Sequence, residues 1–242
     1  MKTNLVITDL TRMYRGMVCI AGYDNTRRCI RPTLPPPGIP ENALMRGNSP
    51  IIFPFAVVEF DLLNPTPQPP HVEDWHYDPE SPRFIKLIQD RKKILSWSLF
   101  DGLSDIFEQA IHDDLGFYVM DCQGARSLGT IRPRKILEVI YEPGIEGPWD
   151  YRLRFLAGQG THYRLKITDL TWHYYCDSLR GDNCDPHQIS AELTKQLAAR
   201  EVFLRIGLSR GWKKFPDRCY LQINGIYTFP DYLEGKTFAD LR

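Results

Sequence analysis

A near-repeat at the two ends of the chain constrains the fold more than any other feature of the sequence. The segment Ile-Thr-Asp-Leu-Thr begins at Ile7 and again at Ile167, and each copy follows or completes an apolar, β-branched run. Thr and Asp side chains can hydrogen-bond to the backbone one or two residues on and so fix a bend. We therefore predict two units of one fold with the same bend in each, and we expect the motif itself to be structural.

The charge balance excludes binding that depends on a field spread over the whole molecule. Lys and Arg number 30, Asp and Glu number 30, and the formal net charge is zero. Contact with nucleic acid or an anionic surface would need a local patch. The sequence has no 18-residue apolar stretch and no signal-peptide pattern, which predicts a cytoplasmic protein without a membrane partner. The six cysteines include no Cys-x-x-Cys pair, so we expect reduced thiols.

Short apolar runs separated by Pro- and Gly-rich breaks predict a mainly β chain with inserted helices. Residues 4–10 and 17–23 predict the first two strands, and residues 151–156 and 163–170 alternate with period two, which is typical of a hairpin. Helices are predicted in an inserted segment at about 81–115 and, after the N-cap residue Asp185, at about 186–200.

The best candidate for a domain boundary is the Pro- and Gly-rich segment between residues 142 and 149. It divides the chain into a first unit at 1–142 and a second at 149–242. Several short strands with few helices in each unit fit two small β-barrels in tandem better than an open parallel sheet.

The sequence holds no recognisable catalytic motif. Nucleophile-elbow, P-loop, dinucleotide-binding and His-Glu-x-x-His patterns are all absent from it. We therefore predict a non-enzymatic protein with no catalytic residues, and a hydrolase acting on nucleotides has no supporting motif.

One pattern has the spacing of a zinc site. His173 and Cys176 precede a polar turn, and Cys184 and His187 follow it, so four ligands of zinc type could close a tetrahedral site. The order His-Cys then Cys-His is unusual, and His187 also suits the exposed first turn of a helix. We favour an unliganded loop with reduced cysteines and no cofactor, and we keep zinc as the alternative.

Basic residues cluster despite the zero net charge. Strand alternation places four cations on one surface of the predicted hairpin: Arg152, Arg154, Arg164 and Lys166. In a second cluster, Arg210 is followed by Trp212 and Tyr220. Aromatic faces that stack bases beside cations that contact phosphates are typical of a single-strand site. Outward cations also keep sheets soluble, and this reading is favoured for any single cluster. Further clusters lie at Arg27, Arg28 and Arg31 and at Arg132, Arg134 and Lys135, and we expect at least one of the four clusters to be a binding patch.

The chain resembles the dual OB-containing domain family of prokaryotic conflict systems. The resemblance rests on residues 8–12, 18–24 and 28–32 in the first half, and on residues 167–170, 207–210 and 221–227 in the second. It implies two OB-type barrels, a role in sensing or binding nucleic acid within a defence operon, and no catalytic residues. Arg12, Arg31 and Arg210 lie in the matched motifs and are the implied contacts. The zinc quartet has no counterpart in the pattern.

These observations predict a cytoplasmic protein of two OB-like barrels that binds single-stranded DNA or RNA. The predicted contacts combine the clustered cations with two stacking residues: Arg12, Arg31, Arg152, Arg154, Arg164, Lys166, Arg210, Trp212 and Tyr220. The alternative is an adaptor or accessory subunit that docks on a nuclease or ATPase partner. The Pro-rich loops at 32–40 and 64–70 and the many aromatic residues suit that reading equally well.

Overall fold

A computed structural model describes residues 1–144, 147–158, 160–180 and 185–242. The first strands along the chain are β1 (Lys2–Arg12), β2 (Met17–Tyr23), β3 (Cys29–Thr33), β4 (Ile39–Pro40), β5 (Met45–Arg46), β6 (Ser49–Pro50), β7 (Ala56–Pro65), β8 (Asp74–Tyr77) and β9 (Arg83–Leu87). The later elements are α1 (Arg91–Ser96), β10 (Leu99–Phe100), α2 (Leu103–Phe107), β11 (His112–Asp113), β12 (Phe117–Met120), β13 (Leu128–Ile131), β14 (Lys135–Gly144), β15 (Gly147–Ala157), β16 (Thr161–Ile167), α3 (Leu170–Leu179), α4 (Pro186–Ala198), β17 (Glu201–Leu208) and β18 (Arg218–Phe229). No helix among the described residues is long and apolar enough to cross a membrane.

The first half of the chain closes into a five-stranded barrel. Its strands follow the cyclic order β1, β2, β3, β8, β7 and back to β1, because β1 pairs with β7 through its first residues and with β2 through the rest. All neighbours are antiparallel except β3 and β8, which are parallel. The inward residues, such as Leu5, Ile20, Val58 and Phe60, form one apolar core.

The second half repeats this order with a first strand that is broken in two. The segments β13 and β14 together occupy the place of β1: β13 pairs with β17, and β14 pairs with β15. The remaining order is β15, β16, β18 and β17, and its one parallel pair, β16 with β18, corresponds to β3 with β8. Two barrels with the same strand order and the same parallel pair confirm the predicted OB-like fold.

The two copies of the sequence repeat do not occupy equivalent places, so the prediction of one bend at the same position in each unit is wrong. The first copy lies within β1, where the register to β2 shifts between Ile7 and Asp9. The second copy ends β16 and begins α3, with the Asp169 side chain accepting the N–H groups of Thr171 and Trp172 as the N-cap. The copies nevertheless meet, because the Arg12 N–H donates to the Thr168 carbonyl at 2.7 Å.

The chain passes from one barrel to the other earlier than the predicted boundary. Strands β14 and β15 pair along their length, so the described residues on both sides of 142–149 belong to one sheet. The core of the second barrel already includes Leu103 and Phe107 of α2. The Pro- and Gly-rich segment therefore joins two paired strands, and the change of barrel falls near residues 88–98.

The inserted segment is less helical than the sequence pattern predicts. Residues after Ser81 form the edge strand β9, which pairs with β7, and the helix near residue 101 ends at Phe107 because Glu108 takes a left-handed backbone conformation with φ 54°. The helix predicted at 186–200 is confirmed as α4, with Asp185 as N-cap and Pro186 in the first turn. Helix α3 has no counterpart among the predictions.

A buried ion pair joins the two barrels. Arg205 of β17 is 0% exposed, and its Nε and Nη2 donate to the carboxylate of Asp9 in β1. Its Nη1 donates to Tyr23 Oη at 2.7 Å, Ser98 Oγ at 2.8 Å and Thr130 Oγ1 at 3.0 Å. All donor nitrogens of this guanidinium therefore have partners, and those partners come from both barrels.

We expect Asp9→Asn to destabilise the protein by about 3–5 kcal/mol, because the change leaves Arg205 buried without its counter-charge. Urea unfolding at pH 7 measures the effect. Lys2→Ala provides the control, since it removes an exposed pair with Glu59 at 3.6 Å whose contribution is at most about 1 kcal/mol. Equal shifts for the two variants would contradict the role given to the buried pair.

Candidate nucleic-acid interface

Four cations lie on the outer side of the second barrel, as the alternation of the sequence predicts. We call the outward side chains Arg152, Arg154, Arg164 and Lys166 the hairpin face. Cross-strand pairing sets Arg152 beside Lys166 and Arg154 beside Arg164. The alternate residues, including Leu153 and Leu165, are buried in the barrel core, and their burial fixes which side of the hairpin the cations occupy.

Half of the hairpin face is neutralised by nearby carboxylates. Arg152 Nε lies 2.6 Å from Asp150, and Arg154 Nη1 lies 2.9 Å from Glu138 of the neighbouring strand. Within the described residues, neither Arg164 nor Lys166 has an ion-pair partner. These two adjacent side chains therefore carry most of the positive charge that is open to a ligand.

Surface depressions extend the hairpin face in two directions. A groove of about 710 Å³ holds Arg154, Arg164 and His162, and a wider one of about 920 Å³ holds Arg132 and Arg134. Both grooves are lined by Tyr163 of β16, so they adjoin. Carboxylates also line the grooves, Asp113 and Glu138 in the first and Asp101 and Asp105 in the second, so the cations lie among acidic side chains with Tyr163 where the grooves meet.

The two barrels share a cleft of about 500 Å³, which we call the inter-barrel cleft. Arg12 and Arg31 line it from the first barrel, and Lys166 and Arg210 line it from the second. The structure therefore brings four of the predicted contact residues to one depression. Lys166 belongs to both the hairpin face and the inter-barrel cleft, so the two surfaces are contiguous.

Arg31 is not placed to contact phosphate, which corrects its predicted role. Its side chain is 6% exposed, and its Nε lies 2.6 Å from Asp74 of the parallel strand β8. Arg210 donates to the other oxygen of the same carboxylate, although its own side chain is 52% exposed. Asp74 thus holds one cation from each barrel, and only Arg210 remains accessible.

The two predicted stacking residues differ in accessibility. Trp212 is 53% exposed in the loop between β17 and β18, where it packs edge-on against Phe215. Tyr220 is half-buried on β18, and its ring contacts Tyr118 with the centroids 5.7 Å apart. Trp212 therefore offers an open ring face, whereas Tyr220 is partly covered by its neighbour.

Sequence reasoning missed three residues of the inter-barrel cleft. Tyr14 is 81% exposed at the tip of the β1–β2 turn, His71 is buried at the cleft, and Gln222 of β18 is half-buried in it. An aromatic residue in a polar turn between two predicted strands is a signal that could have identified Tyr14. No local signal marks His71, because its position depends on how the β7–β8 loop packs.

The zinc quartet is only partly described. His173 and Cys176 lie on α3 in the protein interior, where His173 Nε2 lies 2.8 Å from the Ile167 carbonyl and the ring stacks on Tyr151. Burial lowers the pKa of His173 to about 4. Cys184 lies outside the described residues, and the part of the chain that is described holds no group of three metal ligands.

Elemental analysis of protein purified without added metal tests the zinc alternative. About one equivalent of zinc would support a site closed by the segment around Cys184. We expect none, because His173 and Cys176 are buried in the protein interior, whereas His187 is exposed in the first turn of α4. Stoichiometric zinc that is retained on dialysis against a chelator would contradict this expectation.

We expect Arg31→Met to destabilise the protein by about 2–3 kcal/mol, because it removes a buried, charge-assisted hydrogen bond to Asp74. Urea unfolding measures the loss. Arg164→Met, which changes an exposed cation to the same residue, should leave the unfolding midpoint unchanged. A stable Arg31→Met protein with weakened ligand binding would instead restore Arg31 as a direct contact.

Comparison with known proteins agrees with the strand order. A model of the dual OB-containing domain family matches residues 4–226, a range that includes both barrels. No curated protein and no solved structure gives a significant match. The family match and the two barrels of equal topology lead to one conclusion: the chain belongs to the dual OB-containing domain family.

Proposed function

We propose that the protein binds single-stranded nucleic acid along the hairpin face and catalyses no reaction on it. The proposal rests on the position of the cations of the hairpin face within the second barrel. In the strand order of the second barrel, β15 and β16 are the second and third strands. The outer surface of these two strands, with the adjoining loops, is where OB-folds bind oligonucleotides and oligosaccharides.

The cations on this surface favour a phosphate-bearing ligand over a neutral sugar chain. Arg164 and Lys166 project from one strand two residues apart, so they lie about 7 Å from each other along it. Arg134 adds a cation beyond Tyr163, whereas Arg132 is paired with Glu201 at 3.2 Å. Binding through these side chains would weaken as salt rises, with a slope of log K against log salt set by the number of phosphates they contact.

Exposed aromatic rings favour a single strand over a duplex. Trp212 lies in the loop between the fourth and fifth strands of the second barrel, beside Lys213 and Lys214. Tyr14 lies in the loop between the first and second strands of the first barrel. Unpaired bases can stack on such rings, whereas the bases of a duplex are stacked on one another.

The cellular setting is part of the same proposal. We place the protein in the cytoplasm, in a prokaryotic defence system where it senses or binds nucleic acid. The support is the resemblance to the dual OB-containing domain family on the motifs given above. The proposed ligand is single-stranded DNA or RNA.

A docking role is the second candidate, and one edge strand favours it. Strand β9 pairs only with β7 among the described residues, and Phe84, Ile85 and Leu87 on it are 43%, 48% and 39% exposed. An exposed edge strand can accept a strand from another protein. In this alternative the protein is an accessory subunit that docks on a nuclease or ATPase.

Fluorescence anisotropy with labelled single-stranded DNA, single-stranded RNA and duplex DNA tests the first proposal. We expect tighter binding of a single strand, and a loss of about tenfold or more for Arg164→Glu combined with Lys166→Glu. Removing two phosphate contacts should also reduce the slope of log K against log salt by about 1.4.

The matched control is Arg83→Glu combined with Lys86→Glu, which makes the same charge change on β9. Thermal unfolding of both double variants shows whether each remains folded. Equal losses of binding for the two variants would mean that total charge, and not the hairpin face, controls binding. Absence of binding by the unaltered protein at low salt would leave the docking role as the leading candidate.

A further inference from the structure

The inter-barrel cleft concentrates buried polar groups whose hydrogen bonding within the protein is incomplete. Thr11 Oγ1 and at least one ring nitrogen of His71 are buried without a hydrogen bond among the described residues, and Arg31 Nη2 has an ion pair with Glu73 at 3.9 Å but no hydrogen bond. All three side chains line this one cleft. A buried polar group without a hydrogen bond is unfavourable in a folded protein. Their presence together at one depression indicates a place where a ligand supplies the missing partners.

The floor of the cleft is electrically balanced. Asp74 binds both Arg31 and Arg210, and Glu73 lies 3.9 Å from Arg31 while it accepts hydrogen bonds from Ser127. Burial, and after it the charges of Arg31 and Arg210, lowers the pKa of His71 to about 2. His71 is therefore neutral, with one ring nitrogen that donates and one that accepts a hydrogen bond.

The walls of the cleft are apolar and its polar edge is made of amides. Val18, Ile39 and Leu208 contribute aliphatic surface. Gln222 is half-buried, and its amide bonds to no described side chain. Such an amide can both donate and accept hydrogen bonds, so it can pair with the edge of a ligand that presents both donors and acceptors.

Gly207 has no side chain, and this lets the Asn224 amide pack closely against its backbone near the cleft. A Cβ added at Gly207 would lie 2.1 Å from Nδ2 of Asn224, a side chain that is 6% exposed and also receives a hydrogen bond from Thr168. The Asn224 amide is thus held in one orientation at the cleft by its packing. A fixed amide beside the free one of Gln222 gives this wall a defined pattern of donors and acceptors.

We propose that the inter-barrel cleft receives one unpaired nucleobase of the bound strand and makes binding selective for base identity. The inference rests on the proposed function, because the base belongs to a strand held on the hairpin face. A nucleobase has flat apolar faces and an edge of donors and acceptors, which matches the aliphatic walls and the groups of Gln222, Asn224 and His71. Lys166, which lies on both surfaces, holds the adjacent phosphate.

A phosphate group suits the cleft less well. The carboxylates of Asp74 and Glu73, buried behind the lining residues, offset the charges of Arg31 and Arg210, and His71 carries no charge to attract a phosphate. The accessible cations are at the mouth, where Arg12 and Lys166 are exposed. The charge distribution therefore places phosphates at the mouth and the base at the floor.

Anisotropy titrations with oligomers of deoxyadenylate, deoxycytidylate and thymidylate of equal length, and with an abasic oligomer, test this inference. We expect the unaltered protein to prefer one base over the others by about tenfold, which is the range of one bidentate amide contact. Gln222→Leu should reduce this preference to less than about twofold without changing the salt slope. Gln89→Leu makes the same change at an exposed site away from the cleft and should keep the preference.

The outcomes separate this inference from the proposed function. Salt-dependent binding with equal affinity for all three bases would overturn the base pocket and leave the hairpin face in place. A preference that survives in Gln222→Leu would also overturn it, as would release of the oligomers by millimolar inorganic phosphate at constant ionic strength. Failure to bind any oligomer at low salt would overturn the proposed function, and the base pocket with it.

Discussion

The buried contact between Asp9 and Arg205 sets how the two barrels sit against each other. A guanidinium at 0% exposure is stable only if its charge and all its donors have partners, and here they come from strands of both barrels. Thr11 follows closely after Asp9 in β1, and Leu208 follows closely after Arg205 in β17; both line the inter-barrel cleft. The geometry of the cleft therefore depends on this ion pair together with the contacts of Asp74 to Arg31 and Arg210.

The hairpin face could be predicted from the sequence because strand periodicity is a local property. Alternation along residues 151–156 and 163–167 determines which side chains are buried, and the short turn between the two strands determines that they pair with each other.

Helical spacing predicts the structure around α2 less well. The apolar residues Leu103, Ile106 and Phe107 do pack inward from α2, but the helix ends after five residues because the chain must return to the barrel as β11 and β12.

The role of Arg31 could not be predicted, because its surroundings are set by a distant part of the chain. Its partner Asp74 is 43 positions away and reaches it only through the parallel pairing of β3 with β8. Nothing in a five-residue strand distinguishes a cation that faces solvent from one that faces a carboxylate. The prediction from the sequence repeat is wrong for a related reason: the same five residues lie at a register shift within β1, where Asp9 binds Arg205, and at the start of α3, where Asp169 is the N-cap.

Zero net charge has a consequence for how a protein of this kind would select its ligand. Phosphate contacts supply most of the sequence-independent affinity of nucleic-acid-binding proteins, and here several cations on the proposed surface are already paired with carboxylates. The background affinity for any strand would therefore be low. Contacts to a base then make up a larger share of the total binding free energy, so a single cleft with balanced charge and the amides of Asn224 and Gln222 would decide which strands are retained.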